Sequence, residues 1–67
     1  MRNAEFIEGV SIIAKHLPEE RKTGFDLHAV HNQIWFCEFE LISDSEDKER
    51  LKELGWFEDE DSWSCFT

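Results

Sequence analysis

Apolar positions near the start of the chain recur at helical spacing. Phe6, Val10, Ile13 and Leu17 fall on one face, and Ile7 and Ala14 widen the stripe, which predicts a helix over residues 4–17. Asn3 is the expected N-cap, and Glu5 sits in the first turn, where the helix dipole favours a carboxylate. Gly9 weakens the middle of this helix by about 1 kcal/mol relative to alanine. Pro18 ends it, because the residue before a proline is pushed away from helical angles. Ile12 lies off the apolar face. The polar stretch 19–24 (EERKTG) reads as a loop and carries Arg21 and Lys22.

The period then changes to two. Phe25, Leu27, Ala29 and His31 alternate with Asp26, His28, Val30 and Asn32, which predicts a strand with one wetter face. A tight turn at His31-Asn32 or Asn32-Gln33 follows, since asparagine tolerates positive φ. Residues 34–41 (IWFCEFEL) form a second strand. Its first half is apolar on both faces, as in the centre of a sheet, and its second half alternates Phe39 and Leu41 with Glu38 and Glu40. A hairpin is the economical reading.

The second helix, residues 46–54, has the strongest local signals. Ser43-Asp44-Ser45 supplies caps, Glu46 and Asp47 fill the first turn, Lys48, Arg50 and Lys52 follow, and Gly55 provides a left-handed stop. Glu46 and Arg50 form a favourable i,i+4 pair, and the apolar face is only Leu51 and Leu54. In the tail, Trp56-Phe57 is apolar and residues 58–61 form a four-acid run. Residues 62–66 alternate, with Trp63 and Cys65 on one face and Ser62, Ser64 and Phe66 on the other, so they read as a third strand. The acid run is expected to be a loop or an edge, because such runs rarely lie in a packed strand. The two Trp-Phe-x-acid segments, at Trp35 and Trp56, are too short to be a repeat.

The predicted fold is therefore α+β, ordered α-β-β-α-β, with a three-stranded antiparallel sheet and two helices in a single domain spanning 1–67. The helix over 4–17 covers one face and the second helix packs at an edge or on the same side. The expected core is Phe6, Val10, Ile13, Leu17, Leu27, Ile34, Phe36, Leu51, Leu54 and Trp63. A chain of 67 residues buries only about 60% of the surface its unfolded form exposes, and its six Phe and three Trp supply apolar area that compensates.

Charge then narrows the functional classes. The chain carries a formal −9. Residues 1–37 hold five acids and four bases, whereas residues 38–61 hold eleven acids and three bases. This excludes the basic footprint of direct nucleic-acid binding and disfavours an anionic membrane. Neither a signal peptide nor a membrane-spanning run stands out, so a cytoplasmic location with reduced thiols is expected. The expected partner is a basic protein surface.

Candidate chemistry is sparse. His28, His31, Cys37 and Cys65 lack the close paired spacing of a structural zinc site, and positions 28 and 31 face opposite sides of a strand. Cys37 and Cys65 could be neighbours across the sheet, either as a disulfide or, in a reducing compartment, as two small buried thiols. Neither sits in a helix-start or basic setting that would activate it. The run 58–61 lacks the alternating ligands and central glycine of a calcium loop. No catalytic motif is present, so the chain is read as a non-enzyme, with no cofactor and no metal.

The remaining signal is the acidic half. Glu38, Glu40, Asp44, Glu46, Asp47, Glu49, Glu53, Glu58, Asp59, Glu60 and Asp61 come from three elements, and Trp56 and Phe57 would lie at their rim. If they gather on one side, they can occupy a Lys/Arg-lined groove as phosphates do and associate fast through electrostatics. The plainer role of such charge is solubility. Two alternatives stand beside this reading. One is a self-associating structural protein, such as a homodimer, joined through Trp35, Phe39, Trp56 or Phe66. The other is a small metal-binding domain using histidine and cysteine.

The segment from Leu51 to Phe66 (LKELGWFEDEDSWSCF), with His31-x-x-Ile34-Trp35-Phe36 before it, resembles small uncharacterised acidic proteins of bacteriophages and prophages. The resemblance covers about the last forty residues. It implies accessory factors that bind host proteins, among which inhibitors of CRISPR and restriction systems are one class.

Overall fold

The computed structural model describes residues Met1–Thr67. Helix α1 spans Asn3–His16, one residue ahead of the predicted range, and its N-cap is Arg2 rather than Asn3. Glu5 explains the shift: its Oε1 accepts the Arg2 backbone N–H at 2.8 Å, so the carboxylate closes the first turn from inside the helix. A short 3₁₀ turn at Glu19–Arg21 follows Pro18. Strands β1 (Leu27–Val30) and β2 (Gln33–Glu38) form the expected hairpin. Its turn is His31-Asn32, and His31 rather than Asn32 takes the positive φ, at 56°.

Helix α2 spans Ser45–Glu53. Asp44 caps it, accepting the backbone N–H of Glu46 at 2.8 Å and of Asp47 at 3.3 Å. Gly55, at φ 98°, ends it as predicted. The Trp56 N–H donates to the Leu51 carbonyl at 2.9 Å and the Gly55 N–H to the Lys52 carbonyl at 3.0 Å, which is the paired closure of a Schellman stop.

The sheet has four strands, not three. Phe57–Asp59 form β3, and Ser62–Phe66 form β4, in the order β1-β2-β4-β3, all antiparallel. The acid run 58–61 is thus half strand and half turn. An edge strand tolerates charge because one side of its backbone faces water. Glu60 and Asp61 make the two-residue turn with φ of 52° and 63°.

The second strand also ends earlier than its alternation predicts. Cys37 has a φ of 62° and bulges between Phe36, opposite Trp63, and Glu38, opposite Ser62. Beyond the bulge, Phe39–Leu41 form a 3₁₀ turn. The turn drives Phe39 against Trp63, with ring centroids 4.5 Å apart, and lets Ile42 bury completely. Glu38 and Glu40 therefore do not share a strand face.

Register assigns Leu27, Ala29, Ile34, Phe36, Trp63 and Cys65 to one face of the sheet. Both helices cover that face. Ile13 from α1 and Leu51 and Leu54 from α2 share a core with Trp56, Trp63, Cys37, Cys65 and Ile42. The helices run antiparallel, tied at one end by Glu8–Arg50 and at the other by Lys15 and His16 to Asp47.

Two expected core residues lie at the margin. Phe6 stacks on Trp56 at 6.1 Å but keeps a third of its surface in solvent. Leu27 is 65% exposed, because β1 projects beyond the cover of α1. Trp56, expected at the rim of an acidic patch, is instead fully buried. Gly9 makes room for it: a β-carbon at position 9 would lie 2.0 Å from Trp56 Nε1. The glycine is thus the seat of the indole ring. No helix is long and apolar enough to cross a membrane.

Candidate functional site

The carboxylates of residues 38–61 divide by what they touch. Three are engaged by basic side chains, two of them distant in the chain and the third, for Glu53, one turn away on the same helix. Glu38 receives both terminal nitrogens of Arg21, the second at 2.8 Å. Asp47 accepts His16 Nε2 at 2.7 Å and lies 3.1 Å from Lys15 Nζ. Glu53 sits 3.3 Å from Arg50, whose guanidinium is held chiefly by Glu8 at 2.6 and 2.9 Å. Two more are occupied internally: Asp44 caps α2, and Asp59 accepts from Gln33 and Trp35. The six that remain, Glu40, Glu46, Glu49, Glu58, Glu60 and Asp61, are exposed and make no ion pair.

These six occupy two places. Glu46 and Glu49 lie on the outer side of α2, beside Arg50 and Glu53. Glu40, Glu60 and Asp61 gather at one end of the sheet, because the Phe39 N–H donates to the Asp61 carbonyl at 2.7 Å and joins the 3₁₀ turn to the β3–β4 turn. Glu58 is exposed on the adjacent edge strand, in register with Trp63. The expected single acidic face is therefore reduced to a free cluster at the β3–β4 end, a second pair on α2, and a set of internal ion pairs. Trp56 takes no part in it.

The ion pairs shift the groups that form them. Arg21 beside Glu38 holds that carboxyl down to about 2 from an ordinary 4.5, and Glu38 and Asp26 raise the Arg21 guanidinium in turn. The hydrogen bonds from Arg50 lower Glu8, and those from His16 and then Lys15 lower Asp47. Burial pushes the Cys37 thiol up to about 11 and raises Cys65 as well.

The other face of the sheet carries no helix and holds a polar network that the sequence pattern does not announce. His28, Trp35, Ser64 and Phe57 form one row across all four strands. Asp59 Oδ2 accepts Gln33 Nε2 at 2.9 Å and Trp35 Nε1 at 3.0 Å, spanning β4 to tie β3 to β2. Gln33 Nε2 also donates to Ser64 Oγ at 2.9 Å, and Ser64 Oγ donates to the Ile34 carbonyl at 2.8 Å. Ser64 is fully buried beneath these side chains, although it lies on the face without a helix. His28 packs on Trp35 at 5.4 Å and Phe57 on Phe66 at 5.2 Å. The alternation of Gln33 with Trp35 was the available signal, but Asp59 was hidden inside the acid run.

Of the aromatic residues assigned to self-association, Trp56 is buried, Phe39 lies between Trp63 and the Lys48 ammonium, and Trp35 is half-buried and bonded to Asp59. Only Phe66, at 54% exposure, stays largely free. The thiols are free and buried. Cys65 stands opposite Ile34, three residues along β2 from Cys37, so the two α-carbons are about 10 Å apart, beyond disulfide reach. No three of the His, Cys, Asp and Glu side chains come together in a way that could hold a metal ion. No protein-family model, curated protein or solved structure matches the chain.

Proposed function

We propose that this protein is a small interaction module that binds a basic protein surface through the carboxylates at the β3–β4 end of its sheet. One observation carries the reading. Glu40, Glu60 and Asp61 are free of cations and are held at one end by the bond from Phe39 N–H to the Asp61 carbonyl, while other acids of the same half are spent on internal ion pairs. Charge left unpaired in a protein that pairs its neighbours is charge available to a partner. With Glu58 beside them, these side chains suit a groove lined by lysine and arginine, where carboxylates stand in for phosphates. Such grooves belong to nucleic-acid-binding proteins. The resemblance to small acidic phage proteins supports a host or phage protein as the target, with nucleic-acid mimicry and inhibition of a defence system as the finer proposal.

The test must separate a defined site from bulk charge. The triple variant Glu40→Lys/Glu60→Lys/Asp61→Lys is compared with Glu46→Lys/Glu49→Lys, both against the wild type, in capture of basic proteins from host lysate. The capture is run at roughly 50 and 500 mM salt, where the screening length falls from about 14 Å to about 4 Å. The triple variant should lose the captured protein and its salt dependence, and the α2 variant should retain most of both. Equal losses from the two variants leave only a solubilising charge. No loss from either removes the proposal.

A further inference from the structure

The sheet has two edges, and only one is guarded. Strand β3, at one edge, carries Glu58 and Asp59 and continues into Glu60 and Asp61. Charged side chains on an edge strand deter pairing with another chain. Strand β1, at the opposite edge, is short, at four residues, but has no charge, proline or bulge to protect it. Residues 27–32 (LHAVHN) contain no lysine, carboxylate or proline, and the β1–β2 register has no bulge.

The backbone of β1 is also arranged to receive a strand. In an antiparallel pair, alternate residues turn their N–H and C=O toward the partner strand. The Cys37 N–H donates to the Asp26 carbonyl at 3.2 Å, and Val30 pairs with Gln33 across the two-residue turn. Asp26, His28 and Val30 therefore face β2. Leu27 and Ala29 direct their backbone groups outward, to an edge that nothing in the chain covers.

We propose that a second copy of this chain covers that edge, in a two-fold dimer that pairs β1 with β1. A two-fold axis through His28 sets Leu27 of one copy against Ala29 of the other, so each outward N–H and C=O meets its counterpart. A large side chain then lies beside a small one on the helix-covered face. The axis runs perpendicular to the sheet and keeps the helices of both copies on the same side. Leu27 is 65% exposed, Val30 40% and Phe25 wholly so in the single chain. A cleft of about 110 Å³ between α1 and the sheet, lined by Phe6, Val10, Leu27, Ile34, Phe36 and Trp56, opens beside the same strand.

Charge selects this edge for self-association. A chain of net −9 repels its own copy wherever its acids meet. The order β1-β2-β4-β3 sets the acidic strand three strand spacings from β1, about 14 Å away. That exceeds the screening length of about 8 Å at physiological salt. Asp26, the acid next to β1, is paired with Arg21 at 3.1 Å. The dimer would hold its two acidic ends at its far extremes, open to other partners, so the proposal stands independently of the binding reading above.

Sedimentation equilibrium up to roughly 1 mM registers even a millimolar association. The expected result is a species of twice the 8.0 kDa chain mass, and Leu27→Lys should return it to the monomer without changing the circular dichroism spectrum. Position 28 then tests the register. Residues facing each other in a non-hydrogen-bonded antiparallel pair have α-carbons about 4.5 Å apart, within disulfide range. Mild oxidation of His28→Cys should give a covalent dimer, and Glu58→Cys, on the guarded edge, should not. A wild-type monomer at the highest concentration overturns the proposal and leaves the edge to a foreign strand. A dimer that survives Leu27→Lys, or that fails to cross-link at position 28, overturns it as well.

Discussion

Replacing Gly9 by alanine tests how the core is assembled, because local and tertiary reasoning give opposite signs. Within a helix, alanine is favoured over glycine by about 1 kcal/mol, so helix propensity alone predicts stabilisation. The tertiary structure places the new β-carbon 2.0 Å from Trp56 Nε1, 2.6 Å from Cε2 and 2.8 Å from Cδ1. Relief requires the indole to move by more than 1 Å, yet the ring is rigid, 1% exposed and stacked on Phe6. Overpacking of this kind costs about 1–3 kcal/mol, and full ejection of the ring approaches the 3–5 kcal/mol of deleting a buried aromatic. Set against the propensity gain, the net loss is about 2 kcal/mol. A domain of this size has a total stability of roughly 3–10 kcal/mol, so the loss is a large part of the whole. Urea unfolding followed by tryptophan fluorescence should show the midpoint falling with an unchanged slope.

A second substitution guards against misreading. The Trp56 indole N–H is buried without a hydrogen-bond partner, so Trp56→Phe removes an unsatisfied donor as well as the colliding edge of the ring. In that background Gly9→Ala should cost at least 1 kcal/mol less, a coupling of the size expected for side chains in contact. A Gly9→Ala protein more stable than the wild type, or an additive double variant, would refute the claim that Gly9 seats Trp56.

Glu60 and Asp61 occupy left-handed backbone angles, which cost an L-residue roughly 1–2 kcal/mol and which Asn-Gly adopts readily. Glu60→Asn/Asp61→Gly should therefore raise stability by about 1 kcal/mol in urea unfolding, and an unchanged or lower midpoint would contradict the turn assignment. The acid limb of stability should follow Glu38, Asp47 and Glu8, whose carboxyls are lowered by Arg21, by His16 with Lys15, and by Arg50. A carboxyl lowered in the folded state contributes stability above its unfolded value, 4.5 for the glutamates and 3.8 for Asp47, and that contribution disappears as pH falls through the folded value, about 2 for Glu38. Thermal melts from pH 5 to about 2 should fall less steeply for Glu38→Gln than for the wild type; parallel curves would show that the Arg21 pair contributes nothing.

Much of the fold was legible from neighbours in the chain. The α1 stripe, the cap at Asp44, the stop at Gly55, the hairpin around His31-Asn32 and the alternation of Ser62–Phe66 all rest on spacings of two to four residues, and each appears within a residue or so of its expected place. Strand β3 was not legible, because two acids and a glycine-free turn argue locally against a strand. Pairing with β4 and bonds from Gln33 and Trp35 to Asp59 override that preference. The bulge at Cys37 was not legible for the same reason: its left-handed angle is followed by Phe39 and Ile42 packing into the core, which no neighbouring residue signals.

The candidate site divides the same way. Composition alone established that the second half of the chain is acidic. Which carboxylates stay free was decided chiefly by side chains far away in sequence, Arg21 reaching Glu38, and Lys15 and His16 reaching Asp47. Trp56 shows the limit most plainly, since nothing beside it in the chain reveals that a glycine 47 positions earlier leaves a gap of its size. Periodicity and capping are properties of adjacent residues and can be read in one dimension. Burial, ion pairing and the exposure of a sheet edge depend on which distant segments meet, and only the folded chain determines that.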